Sequence, residues 1–487
     1  MKRIYTLTLA VLLLAGGSAM AQQVQQAQPG AVKTFTLEDC LQYALQNHVD
    51  IQNAALDQEI AKARIGDTRG SGLPQVTVAS GLTYNPKLPR FFGTYTTPTE
   101  NSTSFFGDIP GVPNGSILAA QNFFQLKSSG DASVTLNQML FNGSYFVGLQ
   151  AASAYKDWSY KNSAATQTTV IQNVTKAYYA ALINNDRLTS LDANIARLDS
   201  SLRSTKIMNQ NGFAESIDVQ RLQVSYNNLV TDRDKFFNAK KITVELLKFQ
   251  MNYPMEDEIN VAGSIEDVQV MTDPASYASD FKYENRTDYQ VMLSNQKLQA
   301  LNVKNQYAGI LPTLSIYGKT GYQTQSPTIG GLFKTTTKLP FESDMIGPDK
   351  WYNYSVIGLN FNWNVFTGLS RHYKIQQEKL SLQKINNNFR RLKSSIDLEV
   401  RQTALTYDNA LKTLTSQKQN MELASNVYRV TKIKFEQGVG SNLEVVTAEA
   451  DFRTAQNNYY GALFDAMVAK VDLDKAYGRL AGPTSTK

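Results

Sequence analysis

Residues 211–219 read NGFAESIDV, and residues 437–445 read QGVGSNLEV. Each stretch has at its second position a glycine suited to a tight turn and continues with the polar and acidic residues typical of a helix start. Residues 73–74 and 311–312 are both Leu-Pro, and each pair joins a polar helical stretch to an alternating one. The matched features follow one another in the same order, so the sequence predicts two tandem structural repeats.

A long helical hairpin is expected in each repeat. The hairpins are predicted over 144–253, with a tip near 212, and over 369–478, with a tip near 438. Proline is absent from both spans, and a proline inside a helix would remove a hydrogen bond and clash with the preceding turn. The outgoing helix of each hairpin would reach about 100 Å, far more than one globular core requires.

Apolar residues at alternating spacings of three and four indicate a coiled-coil seam in the first hairpin. The seam consists of Leu188, Leu191, Ile195, Leu198 and Leu202. A weaker pattern in the second hairpin consists of Leu392, Ile396, Val400, Leu411, Leu414, Val427 and Val430.

Four segments alternate apolar and polar side chains, as amphipathic strands do. They are predicted over about 75–84 and 131–141 in the first repeat, and over about 313–322 and 354–366 in the second. Outer-membrane strands have this pattern, but a soluble sheet with one wet face would have it too. In a membrane, aromatic residues near the strand ends would form an interfacial girdle, and the candidates are Tyr84, Trp351, Tyr352, Trp363 and Phe366.

Four strands alone leave two unpaired edges, which a bilayer does not tolerate. Two copies would give about eight strands, whose interior fills with side chains, whereas three give about twelve and leave room for a lumen. The predicted fold is therefore mixed α and transmembrane β: a trimeric 12-stranded β-barrel with four strands per protomer, continued by a long periplasmic α-helical barrel. Proline-rich loops over 85–130 and 323–350 would face the exterior.

The N-terminus has the pattern of a secretory signal. Lys2 and Arg3 precede an apolar run over 4–15 and a small-residue stretch that ends at Ala21. The apolar run is shorter than the roughly 20 residues of a membrane-spanning helix, so cleavage is preferred over an anchor. The remaining chain is divided into a first repeat over 22–253, a connector over 254–280, a second repeat over 281–478 and a tail over 479–487.

Composition argues against several other classes of function. The 48 basic and 42 acidic residues are scattered rather than gathered in a basic stripe, so nucleic acid binding is unsupported. Neither of the two histidines, His48 and His372, has a cysteine, a second histidine or an acidic cluster at metal-ligand spacing. The lone thiol, Cys40, is interpreted as a small apolar helix residue. We therefore expect no enzyme activity, no cofactor and no metal.

The chain resembles the TolC-like outer-membrane efflux family over nearly the whole mature sequence. The resemblance rests on residues 36–45 (TLEDCLQYAL), the two Leu-Pro joints and residues 435–449 (FEQGVGSNLEVVTAE). The order of these motifs along the chain and their duplication are more specific than any one of them. It implies a homotrimer in outer-membrane lipid whose helical barrel crosses the periplasm to meet an adaptor protein and an inner-membrane transporter. The implied function is a passive exit duct of a tripartite efflux or type I secretion system, and the cargo stays open.

The resemblance also implies roles for the two glycine turns. They would be the periplasmic tips that dock the adaptor and close the duct at rest, formed by Asn211, Gly212, Phe213, Gln437, Gly438 and Val439. Glu444 and Asp218 would supply carboxylates to the closed end. A capping role is equally open, because Ser441 and Glu444 have capping-box spacing and Asp218 lies in a first helical turn.

A periplasmic adaptor is the competing interpretation, since adaptors also carry a helical hairpin after a signal peptide. An adaptor should have one hairpin and no duplicated membrane-type strands. The two predicted hairpins and four predicted strands favour the duct.

Overall fold

The computed structural model describes residues 32–100, 103–121, 125–265, 281–334 and 351–480. The predicted signal segment over 1–21 lies outside these residues, as do parts of the predicted connector and tail. Seven α-helices occur in the described ranges: α1 Leu37–Asn47, α2 Val49–Gly70, α3 Gly143–Gln210, α4 Ser216–Met251, α5 Thr287–Ala308, α6 Ser370–Glu436 and α7 Asn442–Ala476.

Eight strands accompany the helices within the same ranges. They are β1 Lys33–Phe35, β2 Gln75–Tyr84, β3 Arg90–Thr94, β4 Ile117–Gln121, β5 Ser128–Asn142, β6 Ile259–Val261, β7 Thr313–Ser326 and β8 Tyr352–Asn362. The antiparallel β3–β4 pair lies inside the segment predicted as a loop over 85–130. The predicted strand over 354–366 ends early, because Trp363 and the residues up to Leu369 leave the ladder before α6 begins.

Corresponding helices in the two halves of the chain have nearly equal lengths. Helices α2 and α5 each have 22 residues, α3 and α6 have 68 and 67, and α4 and α7 have 36 and 35. In each half, a short helix leads into a strand, and a second strand precedes the long hairpin. These matched elements therefore follow one another in the same order in both halves, while β1, α1, β3, β4 and β6 have no counterpart among the described residues of the second half.

Four strands form one antiparallel sheet in the order β2-β5-β7-β8. The register aligns Val78 with Val134 and Leu136 with Gly318, so apolar side chains from neighbouring strands share one face. The opposite face aligns Thr77 with Thr135. Large apolar residues on the first face are exposed in the single chain, including Val76, Val78, Leu82, Ile357, Leu359 and Phe361.

Two glycines of this sheet lie directly beneath aromatic rings. A Cβ on Gly358 would lie 2.6 Å from the Tyr317 ring, and a Cβ on Gly130 would lie 2.7 Å from the Trp351 ring. Each glycine thus provides the space that its aromatic neighbour fills.

Helix α3 runs through the centre of the helical layer and contacts α1, α2, α4, α5 and α7. The main core contains fully buried residues from α3, α4 and α7, such as Val174, Leu182, Leu247, Met251 and Met467. A second cluster joins α3 to α4. It consists of Leu191, Leu198, Leu202, Leu222 and Leu229 with Ile195 packed against it, so the predicted first seam is buried.

The predicted seam in the second hairpin is wrong in its last part. Ile396 and Leu414 are buried, but Val427 and Val430 are 57% and 43% exposed. At 100° per residue these two valines lie on the side of α6 opposite Ile396 and Leu414, which face the rest of the chain. They belong to an exposed row that we call the α6 stripe: Leu380, Leu398, Leu405, Leu423, Val427 and Val430.

Helices α4 and α6 lie on the two flanks of the helical layer. Helix α4 packs on α3, α3 on α7, and α7 on α6. Helix α4 also has an exposed apolar row, the α4 stripe, formed by Val224, Ile242, Leu246 and Phe249. Each flank of the chain therefore carries an apolar helix face.

Candidate functional site

The first hairpin turns in a Schellman motif. The Phe213 N–H donates to the Met208 carbonyl at 2.8 Å, and Gly212 has a φ of 78°, which favours glycine. Helix α4 then starts at Ser216 with Glu215 as its N-cap, and no side chain caps it. Asp218 therefore occupies the third position of the helix, where a carboxylate suits the helix dipole.

The second hairpin turns in the same motif but is capped differently. The Val439 N–H donates to the Lys434 carbonyl at 3.0 Å, and Gly438 has a φ of 75°. The Ser441 hydroxyl accepts the Glu444 N–H at 3.2 Å. Among the described residues, the Glu444 side chain does not return a bond to the Ser441 N–H, so only half of the expected capping box forms. The exposed Glu444 carboxylate is free of that bond.

The two return helices start side by side. The buried Asn442 side chain donates from Nδ2 to the Asp218 carbonyl at 3.4 Å. Arg221 lies 3.7 Å from the Asp218 carboxylate, which is 20% exposed. The structure thus brings the two predicted gate positions, Asp218 and Glu444, to the same end of the molecule. Asn442 was not predicted, because its partner is more than 200 positions away.

The predicted docking residues form an exposed end on the molecule. Phe213 is 85% exposed and Val439 is 78% exposed. The other four, Asn211, Gly212, Gln437 and Gly438, are exposed as well. Further apolar side chains surround these tips, namely Ile207, Ile217, Ile433 and Leu443.

A cavity of about 150 Å³ lies between the hairpins just behind the tips, and its lining includes Tyr428 and Glu449. Burial raises the pKa of the Glu449 carboxyl, while the charges of Arg453 and Arg197 oppose that rise. Glu449 was not predicted from the sequence. Its position four residues after the buried Val445 could have shown that an acidic residue lies on the apolar side of α7.

Four of the five predicted interface aromatics lie at the ends of the apolar sheet face or just beyond it. Tyr84 and Trp363 are 48% and 53% exposed. The register places Tyr352 opposite Gln323, which aligns with Asp131 on the polar face. Tyr352 is therefore removed from the proposed lipid-facing girdle, because successive strand residues point to opposite faces.

Within the described ranges, no group of three or more His, Cys, Asp and Glu side chains is placed to hold a metal ion. None of the described helices combines the length and the apolar content needed to cross a membrane.

Comparison with known proteins gives consistent matches along the chain. A sequence model of the family "Outer membrane efflux protein" matches residues 40–229 and 283–479. Outer membrane protein TolC of Vibrio cholerae is 20% identical over 462 residues, which cover 93% of this chain and 92% of TolC. The toluene efflux pump outer membrane protein TtgC of Pseudomonas putida is 20% identical over 445 residues, covering 91% of this chain and 82% of TtgC.

Solved structures share the fold at lower sequence identity. The outer membrane protein VceC of Vibrio cholerae is similar with a TM-score of 0.65 and 12% identity, covering 91% of this chain and 96% of VceC. The open state of the MtrE outer membrane channel of Neisseria gonorrhoeae is similar with a TM-score of 0.67 and 16% identity, covering 92% and 91%.

These relatives are named as an outer membrane protein, an efflux pump outer membrane protein and an outer membrane channel, and none supports the adaptor interpretation. The family model covers well over half of the chain. This protein therefore belongs to the outer membrane efflux protein family and is an efflux channel component of the outer membrane.

Proposed function

We propose that three copies of this chain form a passive exit duct with two parts. A twelve-stranded β-barrel crosses the outer membrane, and an α-helical barrel extends from it into the periplasm. The observation that carries the proposal is the sheet. Within the described residues, β2 and β8 are its outer strands and each is bonded on one side only, while one face is apolar and exposed. A bilayer does not tolerate such edges, so copies must join edge to edge.

The helical layer also supports joining of neighbouring copies into a closed ring. The α6 stripe lies on one flank and the α4 stripe on the other. Pairing the α6 stripe of one copy with the α4 stripe of the next would cover both, and such a head-to-tail contact closes into a ring. Three copies are preferred because twelve strands leave a lumen.

The matched order and lengths of the elements support a tandem duplication. Each repeat would supply two strands and one hairpin. The proposed units are the signal over 1–21, the repeats over 22–253 and 281–478, the connector over 254–280 and the tail over 479–487. Cleavage after Ala21 would deliver the chain for outer-membrane insertion.

The exposed tips support docking of a periplasmic adaptor, which would link the duct to an inner-membrane transporter. Phe213 and Val439 offer apolar side chains at the end of the hairpins, and apolar anchors are typical of binding hot spots. The same duct would serve drug efflux or type I secretion, because the tips do not specify the cargo.

A gate at the same end is proposed for Glu444 and Asp218. Three symmetry-related copies of each carboxylate near the axis would favour cations and oppose anions. Glu444→Gln should weaken the cation preference of the closed channel in planar bilayers. An unchanged closed-state conductance and selectivity would limit Glu444 to its first-turn role in α7.

The test of the whole proposal is the mass of the mature protein, extracted from outer membranes in mild detergent and measured by light scattering corrected for bound detergent. A trimer is expected, with Gln22 at its N-terminus. A monomer that stays in solution without detergent would mean that the strands form a soluble sheet, and the duct would have to be abandoned.

A further inference from the structure

The four strands of the main sheet contain two charged residues, Asp131 in β5 and Lys319 in β7. They lie on the same face, because Asp131 aligns with Gln323 and Gln323 is four positions from Lys319. The Lys319 Nζ atom is 3.7 Å from Asp131 Oδ1. A pair of ionisable residues in membrane-type strands suggests a functional role, since such residues mark solute pathways more often than they stabilise a sheet.

Neighbouring side chains fix the Asp131 carboxylate in place. The Tyr354 hydroxyl of β8 donates to Asp131 Oδ2 at 2.6 Å, and the Ser133 hydroxyl donates to Oδ1 at 3.1 Å. The Lys319 Nζ atom also lies 5.3 Å from the centre of the Tyr354 ring. Gly321 lies between Lys319 and Gln323 on the same face, and it adds no side chain between the two charges.

The pair is open to solvent rather than buried. The Asp131 side chain is 42% exposed and the Lys319 side chain is 37% exposed. Solvent-exposed cross-strand ion pairs of this kind contribute little to stability. Stability alone is therefore a weak reason for placing two charges in strands that otherwise contain none.

The position of the pair along the barrel follows from the strand. Asp131 is near the start of β5, whose other end at Asn142 leads directly into α3. The helices would extend into the periplasm, so Asp131 would lie toward the outer end of the strands, and Lys319, midway along β7, would reach it from the periplasmic side. Polar residues surround it on this face, and the cavity along the strands is lined by Thr83, Ser129, Gln325 and Tyr352 among others.

We propose that Asp131 and Lys319, positioned by Tyr354, are charge-balancing residues that keep the polar face of the strands in the outer half of the lumen free of net charge. Solutes of either charge would then pass this part of the lumen without being repelled or retained by it. This inference rests on the proposed trimeric barrel, in which three copies of the pair line the lumen. Loss of one member would leave three like charges there.

The test measures the local potential with thiol reagents applied from outside intact cells, so that the closed periplasmic end does not matter. The reporter is Gln323→Cys, opposite Asp131 on the polar face, in a Cys40→Ala background. Its rates of reaction with a sulfonate-bearing and a trimethylammonium-bearing methanethiosulfonate are compared at about 10 mM salt, where screening extends over roughly 30 Å.

In the otherwise unchanged reporter, the anion-to-cation rate ratio should stay within about threefold of that of a small thiol in solution. Lys319→Met should lower the ratio about tenfold, and Asp131→Asn should raise it by a similar factor. The double variant Asp131→Asn/Lys319→Met should return the ratio to its starting value, because the wall is neutral again. If the ratio is the same in both single variants as in the unchanged reporter, the proposal is overturned, and the pair is only a cross-strand contact.

A second reporter separates this failure from a failure of the barrel itself. The reporter is Ile357→Cys, because Ile357 is 82% exposed in the single chain and lies on the apolar face. Lipid should protect a cysteine at this position from both charged reagents. Rapid labelling at Ile357→Cys would contradict the barrel. Protection there, together with an unchanged ratio at Gln323→Cys, would contradict only the role of the charged pair. Every variant is used only after its trimer mass has been verified.

Discussion

Helices α3 and α6 have almost the same length and the same place in their halves of the chain, but they differ in burial. Of the 68 residues of α3, 21 are buried, against three of the 67 residues of α6. Helix α3 contacts five other helices, whereas α6 has its main contacts with α5 and α7. A helix pattern therefore indicates which residues form an apolar row, and the neighbouring elements decide whether that row is covered inside one chain.

The largest expected effect concerns the α6 stripe. Leu405 is 66% exposed in the single chain, and if another copy covers it, Leu405→Asp would bury an unpaired charge in each contact. Because such a charge costs several kcal/mol, roughly 3 or more, the trimer should dissociate. Light scattering in mild detergent measures the result. Thr415→Asp, also exposed on α6 but about a quarter turn from the stripe, is the matched control and should remain trimeric. A trimeric Leu405→Asp would mean that α6 is exposed for another reason.

The second prediction concerns the core around α3. Leu182 is 1% exposed, so Leu182→Ala should lower the free energy of unfolding by about 2–5 kcal/mol through lost burial and a cavity. Chemical denaturation followed by helical circular dichroism measures it, in the monomeric Leu405→Asp background. Leu423→Ala on α6, where Leu423 is 63% exposed, should change stability there by less than about 0.5 kcal/mol. Equal losses would remove the distinction between the two helices.

The third prediction concerns the attachment of α6 to the rest of the chain. Arg286 is 5% exposed and donates to Glu399 of α6 at 2.7 Å, to Asp288 at 2.8 Å and to the Ala476 carbonyl at 3.0 Å. Both carboxylates keep some contact with solvent, so Arg286→Met should lower the free energy of unfolding by about 2 kcal/mol. Thermal unfolding measures the loss. Arg286→Lys keeps the charge but not the planar fork, and it should recover only part of the stability. Full recovery would show that charge alone matters.

The fourth prediction is a small pH effect behind the tips. Burial raises the pKa of Glu449 in the folded chain, so the folded state holds this proton more tightly than the unfolded state. The contribution to stability is present below the ordinary glutamate pKa of 4.5 and is lost as the pH rises through the raised value. Glu449→Gln should therefore raise the Tm at pH 8 and leave it unchanged at pH 4. Glu422→Gln, at an exposed site on α6, is the control; a matching response there would assign the effect to net charge.

The last prediction expects almost no signal. Cys40 in α1 is fully buried in the core shared with α3, and burial raises its pKa to about 12. Its reaction with a thiol reagent at pH 8 should be about a thousandfold slower than that of a free cysteine, and it should become fast on unfolding. Leu398→Cys on α6 should react readily in the monomeric background. Comparable labelling of native Cys40 would show that the α3 core opens.

Sequence alone predicted the features that depend on local spacing. The first seam, from Leu188 to Leu202, is buried, and the glycine turns at 212 and 438 form as expected. Strand alternation correctly assigned the apolar face of β2 at Val76 and Val78. In each of these cases the physical signal lies within a few residues.

Features that depend on distant partners were not predicted. Val427 and Val430 fit a seam, but the face that they occupy has no partner among the described residues of one chain. Asn442 and the links from Arg286 to Glu399 and Ala476 gave no local signal, because these acceptors lie on other helices. The β3–β4 pair was missed because the prolines around it indicated a loop. The proposed roles of Glu444 and Asp218 stay predictions, since they require the other copies.

The glycines beneath Tyr317 and Trp351 have an evolutionary consequence. Any side chain at Gly358 or Gly130 would overlap its ring, and a smaller residue in place of either ring would leave a gap above the glycine. A side chain at either glycine requires its ring to shift, so a change at one position of a pair favours a matching change at the other. Across diverging lineages, replacements at the two positions of each pair should occur together more often than apart.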